Sequence, residues 1–455
     1  MISSILSFIV TMYMAGVIEK SQMGKYALYC AVYYMSGTFL TAGVDRSFLK
    51  FISNETSENQ YITKLFLFVS IICLIVFAIL GFLLSPFCSI EIWMGIVSIG
   101  PFICTHNASY VFRAKLEKKY EIILFMSISL INSALTFWLL HYYKNEMSPI
   151  VADFISLLVP SFVIVYIFIQ RIEKPIWGEN ILINNRKDLI DFFSFSKPLW
   201  LAGLAFTINS QQTTFLLKFF LSYQSLGDYY FAKRMLSLVG KPLDILSKVL
   251  LAGFVIKKNV SINNYQKALS LYLLLFPCIA LFVLKFLPLA LEISGLEKYS
   301  SSSFYVSLFL FTFPLACTQA VMGIVNIVLN APKTSQDSYV FTSIVMIPGG
   351  FVLIYYFGVA GAACAISFYS LILFAANVFF LMKISKEHAI LSLKRGVLVQ
   401  FLFSFCMFFP FNNTSSLFMS FLSVPIYFLL GHMFKIWNLN DCLELIKITI
   451  QRKKI

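Results

Sequence analysis

The sequence predicts an all-α polytopic membrane protein of about 14 transmembrane helices, two six-helix bundles with two further helices at the C-terminus. Composition, the spacing of apolar blocks and the sorting of cations lead to this reading. Of 455 residues, 59% are hydrophobic and 12% charged, with a mean hydropathy of +0.83. An ordinary soluble domain carries about 25% charged residues. Apolar blocks run from end to end, near the length of about 20 residues that a helix needs to cross a hydrocarbon core. This excludes a soluble enzyme, a disordered chain and a soluble body on one anchor.

The blocks of the first half fall at roughly 2–18, 26–44, 65–85, 91–112, 121–141 and 149–170. The first is short and lacks a basic leader, so it reads as a span rather than a cleavable signal. The second half repeats the number, at roughly 198–220, 229–255, 268–291, 303–329, 338–357 and 360–382, and two more blocks follow near 396–411 and 416–434. With the N-terminus placed in the cytoplasm, 25 of the 35 Lys and Arg lie on inward connections and five on outward ones. This is the positive-inside bias, and one missed span would invert every later loop. The formal charge of +14 therefore follows from topology, and no nucleic-acid partner is expected.

The longest inward connection, 171–197, contains Pro175 and Gly178 and reads as a cytoplasmic linker. It divides an N-terminal six-helix bundle, 1–170, from a C-terminal one, 198–382. Residues 383–455 hold the two additional helices and a basic cytoplasmic tail. Ser21-Gln22-Met23-Gly24-Lys25-Tyr26 enters the second span, and Gln224-Ser225-Leu226-Gly227-Asp228-Tyr229 enters the eighth, 203 residues later. Six spans per half is an even number, so the halves share one topology. This implies a pseudo-two-fold axis along the membrane normal.

The nine cysteines are scattered, with no Cys-x-x-Cys pair, so neither a metal site nor a disulfide framework is expected. No nucleophile stands in a recognisable motif with a paired base, and no phosphate-cradling Gly-rich loop is present. The expectation is a protein that is no enzyme, binds no cofactor and draws on a coupling proton or sodium ion.

Charge inside a membrane costs about 2.5–3.5 kcal/mol per residue and marks cavities. The eighth span carries Arg234, Lys241 and Lys248 at intervals of seven, with Ser237 and Asp244 between. At helical spacing these occupy about 80° of arc and about 21 Å of rise. Two readings fit: a cationic wall of a water-filled cavity suited to a phosphate, or an amphipathic surface helix with snorkelling cations. Removing this span would reverse the later loops, which favours the wall. Asp244 is the best placed acid for a coupling ion, and it could equally neutralise Lys241 or Lys248.

The seventh span holds six consecutive polar residues, Asn209 to Thr214, including Gln211 and Gln212. Six in a row cover every helix face, so some meet water, ligand or an unwound turn. Gln319, Asn326 and Asn330 share one face of the tenth span, and His106, Asn107 and Arg113 lie in the fourth. Groups of this kind serve as interhelical glue or as ligand contacts. Arg46 and Lys50, at the inner end of the second span, read as a solvated helix end or as part of an inward-facing mouth.

Several short motifs stand in a set order along the chain. They are Gly24-Lys25-Tyr26-Ala27 through Ala42-Gly43-Val44-Asp45 to Lys50-Phe51-Ile52, Leu226-Gly227-Asp228-Tyr229-Tyr230-Phe231-Ala232, Gly295 with Tyr299, Val328-Leu329-Asn330, and Gly358-Val359-Ala360-Gly361-Ala362-Ala363. In order and placement they resemble the Wzx-type O-antigen flippases of the MOP (multidrug/oligosaccharidyl-lipid/polysaccharide) superfamily over about residues 1–385. The resemblance implies two bundles around a central cavity in a bacterial inner membrane. It implies movement of an undecaprenyl-diphosphate-linked oligosaccharide to the periplasmic leaflet by alternating access. Membrane lipids and other polysaccharide-assembly proteins would be the partners. On this reading Arg234, Lys241 and Lys248 hold the diphosphate, the polar residues of the seventh and tenth spans meet sugars, and Lys50 occupies a position usually basic. The chain departs from the pattern at Gly16, where a basic residue is common, and at Thr213-Thr214, where an acidic-basic pair is common. Other MOP cargoes, lipid II-type or cationic drugs, are the alternatives, with a membrane polysaccharide polymerase behind them. A cationic drug would want an acidic cavity, and a polymerase a large outward loop.

Overall fold

The computed structural model describes residues 2–41, 61–114, 118–171, 186–257, 261–329, 332–408 and 417–437. Among the described residues there is no strand, and the α-helices are α1 (Ile2–Val17), α2 (Lys20–Thr41), α3 (Tyr61–Leu84), α4 (Ile90–Ala114), α5 (Lys118–Tyr143), α6 (Met147–Arg171), α7 (Arg186–Phe220), α8 (Tyr223–Lys257), α9 (Ile262–Ile293), α10 (Ser300–Leu310), α11 (Phe313–Val328), α12 (Pro332–Met382), α13 (Lys386–Phe408) and α14 (Leu417–Met433). Each expected span has its helical counterpart, with two differences in form.

The tenth span is two helices, α10 and α11, meeting at 47°. Pro314 lies in the first turn of α11 and has no N–H to return to the preceding turn, and the backbone at the break closes short bonds, Phe311 N–H to Leu308 and Leu315 N–H to Thr312. The eleventh and twelfth spans are the two arms of α12. They part at Gly358, whose φ of 57° and ψ of −130° suit glycine. A β-carbon added at Gly361 would lie 1.9 Å from the Leu353 carbonyl oxygen, so the arms meet at a distance that only glycine allows.

The chain forms two compact units, Met1–Tyr230 and Phe231–Ile455. In the first, α3, α4 and α6 close on a core of Phe66, Cys104, Val111, Phe112 and Phe168. In the second, α9 is the central post. It buries Tyr265, Tyr272 and Phe276 and packs against α11, α13 and α14. The Tyr427 hydroxyl of α14 donates to the Leu273 carbonyl at 2.5 Å. The two C-terminal helices thus belong to the core of this unit.

Among the described residues, six helices are apolar and long enough to cross a membrane unaided: α3, α5, α6, α9, α12 and α13, with α10 and α11 together a seventh. The others of span length, such as α2, α4 and α7, carry more polar residues and need a partly non-lipid environment.

Within the first unit, the repeated motifs meet. A β-carbon on Gly24 would sit 2.0 Å from the Tyr223 carbonyl oxygen, and one on Gly227 would sit 2.0 Å from that of Lys20. The contact is reciprocal and follows the sequence repeat: Gly24 and Gly227 are 203 residues apart, and so are Lys20 and Tyr223, whose carbonyls they approach. The helix starts α2 and α8 therefore cross backbone on backbone, as small residues permit in membranes. Around this crossing Lys20 pairs with Asp228 at 2.8 Å, and Lys25 with Glu146 at 2.7 Å. The Tyr223 hydroxyl donates to Glu91 at 2.6 Å.

The Lys25–Glu146 pair lies outside the expected spans. Its hydrogen bond to Glu146 holds Lys25 above its ordinary value. Partial burial works to raise Glu146, but the hydrogen bond from Lys25 and its charge leave that carboxyl below its ordinary value. The carboxylate's contribution to stability is thus present above the unfolded value, about 4.3, and is lost as pH falls through the folded one. The ammonium's contribution is present below about 10.4 and is lost as pH rises through its folded value.

Two predictions follow from this geometry. Gly24→Ala or Gly227→Ala forces a methyl into a backbone carbonyl and should cost about 1–3 kcal/mol, read as a lower thermal midpoint in detergent. Gly323→Ala, with nothing within 4 Å of the new carbon, should leave that midpoint nearly unchanged. Glu146→Gln should cost up to about 1 kcal/mol near neutral pH, and its difference from wild type should vanish below about pH 4 and shrink in high salt.

Candidate substrate-binding site

The polar run of α7 stays inside one continuous helix, with no unwound turn. It survives because most of its groups find local partners. Asn209 donates to the Ala205 carbonyl at 2.8 Å, Ser210 to that of Thr207 at 3.0 Å, and Gln212 to the Asn209 side chain at 3.5 Å. The Thr213 hydroxyl meets the Tyr229 hydroxyl of α8 at 2.7 Å. Asn209, Thr213 and Thr214 are buried, whereas Ser210, Gln211 and Gln212 are half-buried. The run therefore has a structural face and an accessible one, and Gln211 and Gln212 lie on the second.

Helix α8 is likewise continuous through the cationic stripe, with Pro242 inside it. Arg234 is half-buried, and its carbonyl accepts from Ser237 at 2.6 Å. Lys241, Asp244 and Lys248 lie on this helix at the register positions that the sequence assigns; their side chains are outside the described set. Gly240 is flanked by open space, since a β-carbon there meets nothing within 4 Å. At about 100° per residue this position lies about 40° from Asp244, so the helix is open next to the stripe.

In α11, Gln319 donates to the Ser370 carbonyl of α12, and Asn326 donates to the Ser335 hydroxyl at 3.3 Å. Both tie α11 to α12. Asn326 is fully buried and its Oδ1 has no partner among the described residues, so that oxygen retains the capacity to accept a hydrogen bond. Arg46, Lys50, Asp45 and Asn330 lie outside the described residues. Two other acids are engaged: Glu91 accepts from Tyr223, and Asp153 accepts from Asn132 at 2.7 Å.

Sequence reasoning missed the polar dressing of the broken span. Gln400 of α13 donates to the Phe311 carbonyl at 2.6 Å, at the break itself. Thr312 donates to the Ser367 carbonyl at 3.3 Å, and Ser367 donates back to Leu308. Pro314 was the available signal for a break, since it returns no N–H to the preceding turn; the Phe311 carbonyl is left open where the Leu315 N–H bonds Thr312 instead, and the donor that serves it is 89 residues away.

The sequence profile of the polysaccharide biosynthesis protein family matches residues 1–244. No curated protein matches the chain. Among solved structures, the lipid II flippase MurJ in an inward closed conformation is similar at a TM-score of 0.68 and 14% identity, over 95% of this chain and 98% of that one. An inward-facing multidrug resistance MATE family transporter of the MOP superfamily is similar at 0.66 and 14%, over 84% and 95%. A MOP superfamily transporter from Pyrococcus furiosus is similar at 0.54 and 12%, over 84% and 92%. At such identities the likeness is one of fold. The chain is therefore a multi-pass membrane protein with the MOP transporter fold, and it belongs to the polysaccharide biosynthesis protein family.

Proposed function

We propose that the protein is a flippase for an undecaprenyl-diphosphate-linked oligosaccharide, an O-antigen or similar polysaccharide repeat unit. It moves this lipid from the cytoplasmic to the periplasmic leaflet of the bacterial inner membrane by alternating access, with its own N-terminus cytoplasmic. The observation that carries the reading is α8: a helix of span length with Arg234, Lys241 and Lys248 on one arc and open space beside Gly240. Three cations along one arc of a helix supply what a diphosphate needs, charge and hydrogen-bond donors. Gln211, Gln212, Arg46 and Lys50 are further cargo contacts, and Asn209, Gln319 and Asn326 are candidate contacts to its sugars. Asp244 is the site for a coupling proton or sodium ion. Other polysaccharide-assembly proteins receive the flipped unit.

The MATE-like fold favours a second reading, a multidrug antiporter. The same stripe argues against it, because three cations repel a cationic drug. Translocation makes and breaks no bond in this scheme, so the protein acts as a transporter and not as an enzyme.

In a host deleted for the gene, single lipid-linked repeat units should accumulate on the cytoplasmic face, scored on inverted vesicles. Wild-type protein should clear them, and the Arg234→Ala/Lys241→Ala/Lys248→Ala triple variant should not. Each lost cation should weaken headgroup binding about tenfold. Units that reach the outer leaflet of the deleted host but stay unpolymerised would instead identify a polymerase.

A further inference from the structure

Helices α2 and α4 carry a connected series of aromatic rings that ends on the core at Tyr110; the rest of the series lies outside the core cluster and the cationic stripe. Phe102 lies half-way along α4 and is its centre. Its ring centroid is 5.5 Å from that of Tyr33, 5.6 Å from that of Tyr34 and 5.4 Å from that of His106, which lies nearly parallel to it at 14°. His106 continues to Tyr110 at 5.3 Å. The α4 rungs recur every four residues, so 102 to 110 covers about 12 Å of one face. Gly37 of α2 makes the arrangement possible: a β-carbon there would stand 2.3 Å from the Phe102 ring.

These rings are not sealed into packing. Tyr34 is 41% exposed, and Tyr33, Phe102, His106 and Tyr110 are half-buried. Lipid is a poor account of what they face. Aromatic residues that greet lipid headgroups gather at the two interfaces, whereas Tyr34, Phe102 and His106 sit at mid-helix. An accessible histidine at mid-membrane faces a bundle interior or a water-filled space, because hydrocarbon penalises it. Neither α2 nor α4 is among the helices apolar enough to be lipid-bathed on all sides.

Accessible stacked rings on polar helices suit one chemistry above others. A pyranose has an apolar C–H face and a rim of hydroxyls. The C–H face settles on the negative face of an aromatic ring, while tyrosine hydroxyls and the imidazole meet the rim. We propose that Tyr34, Phe102 and His106 form a stacking platform for the oligosaccharide of the cargo, separate from the cations that hold its diphosphate. The inference rests on the flippase reading above.

The test uses full-length protein in lipid nanodiscs and two probes. One is the polyprenyl-diphosphate oligosaccharide extracted from the gene-deleted host; the other is polyprenyl diphosphate without sugar. Wild type should bind the first more tightly. Tyr34→Leu/His106→Leu should weaken the first about tenfold and leave the second within about twofold. Tyr34→Phe/His106→Phe, which keeps the rings, should restore most of the affinity. Wild type that binds both probes equally, a leucine variant that keeps its oligosaccharide affinity, or equal weakening of both probes overturns the platform. Wild type that binds neither probe overturns the flippase reading, and the platform with it.

Discussion

Two glycines facing each other set the geometry of the first unit. Where α2 and α8 cross, the Cα of Gly24 and that of Gly227 each lie against a carbonyl of the other helix. No side chain stands between the backbones. The approach is open only to residues without a β-carbon, and it brings Lys20 within 2.8 Å of Asp228. The axial position of both helices follows from it. The polar groups further along, from Tyr29 on Ser98 to Thr213 on Tyr229, are placed by that crossing. In a bilayer, where apolar burial gives little reason for helices to prefer one another, close backbone contact is the specific force available.

Much of this was legible in the chain itself. Hydropathy and the side-to-side bias of Lys and Arg marked the helices from α1 to α14, and the Gly24 and Gly227 motifs marked the repeat before any contact was known. What escaped was whatever depends on partners distant in sequence. Gln319 and Asn326 read as candidate sugar contacts, and both spend an amide N–H on α12. The six polar residues of α7 suggested unwinding; carbonyls of the same helix and one tyrosine of the next absorb most of them. No periodicity reveals that Gln400 reaches back to Phe311. The Tyr33–Tyr110 ring series was hidden for a related reason, since aromatics at helical spacing look like core until their exposure is known.

The polar helices and the apolar ones divide the labour. Helices such as α3 and α5 expose Ile, Leu and Phe widely, as a lipid-facing surface does. Helices α2, α4 and α7 bring hydroxyls, amides and an imidazole to the interior. A lipid-linked sugar presents the same division, with a long hydrocarbon tail, a doubly charged linker and a hydroxylated head. On the proposed function, each kind of surface has one part of such a molecule to which it would correspond.

The break between α10 and α11 carries a consequence for modularity. A carbonyl opened to a hydrocarbon environment is costly, and at Phe311 the donor that satisfies it comes from α13, one of the two helices after the twelve-span body. Loss of that pair in evolution would demand a substitute donor at the same moment. The pair is thus bound to the body by the Gln400 hydrogen bond as well as by packing.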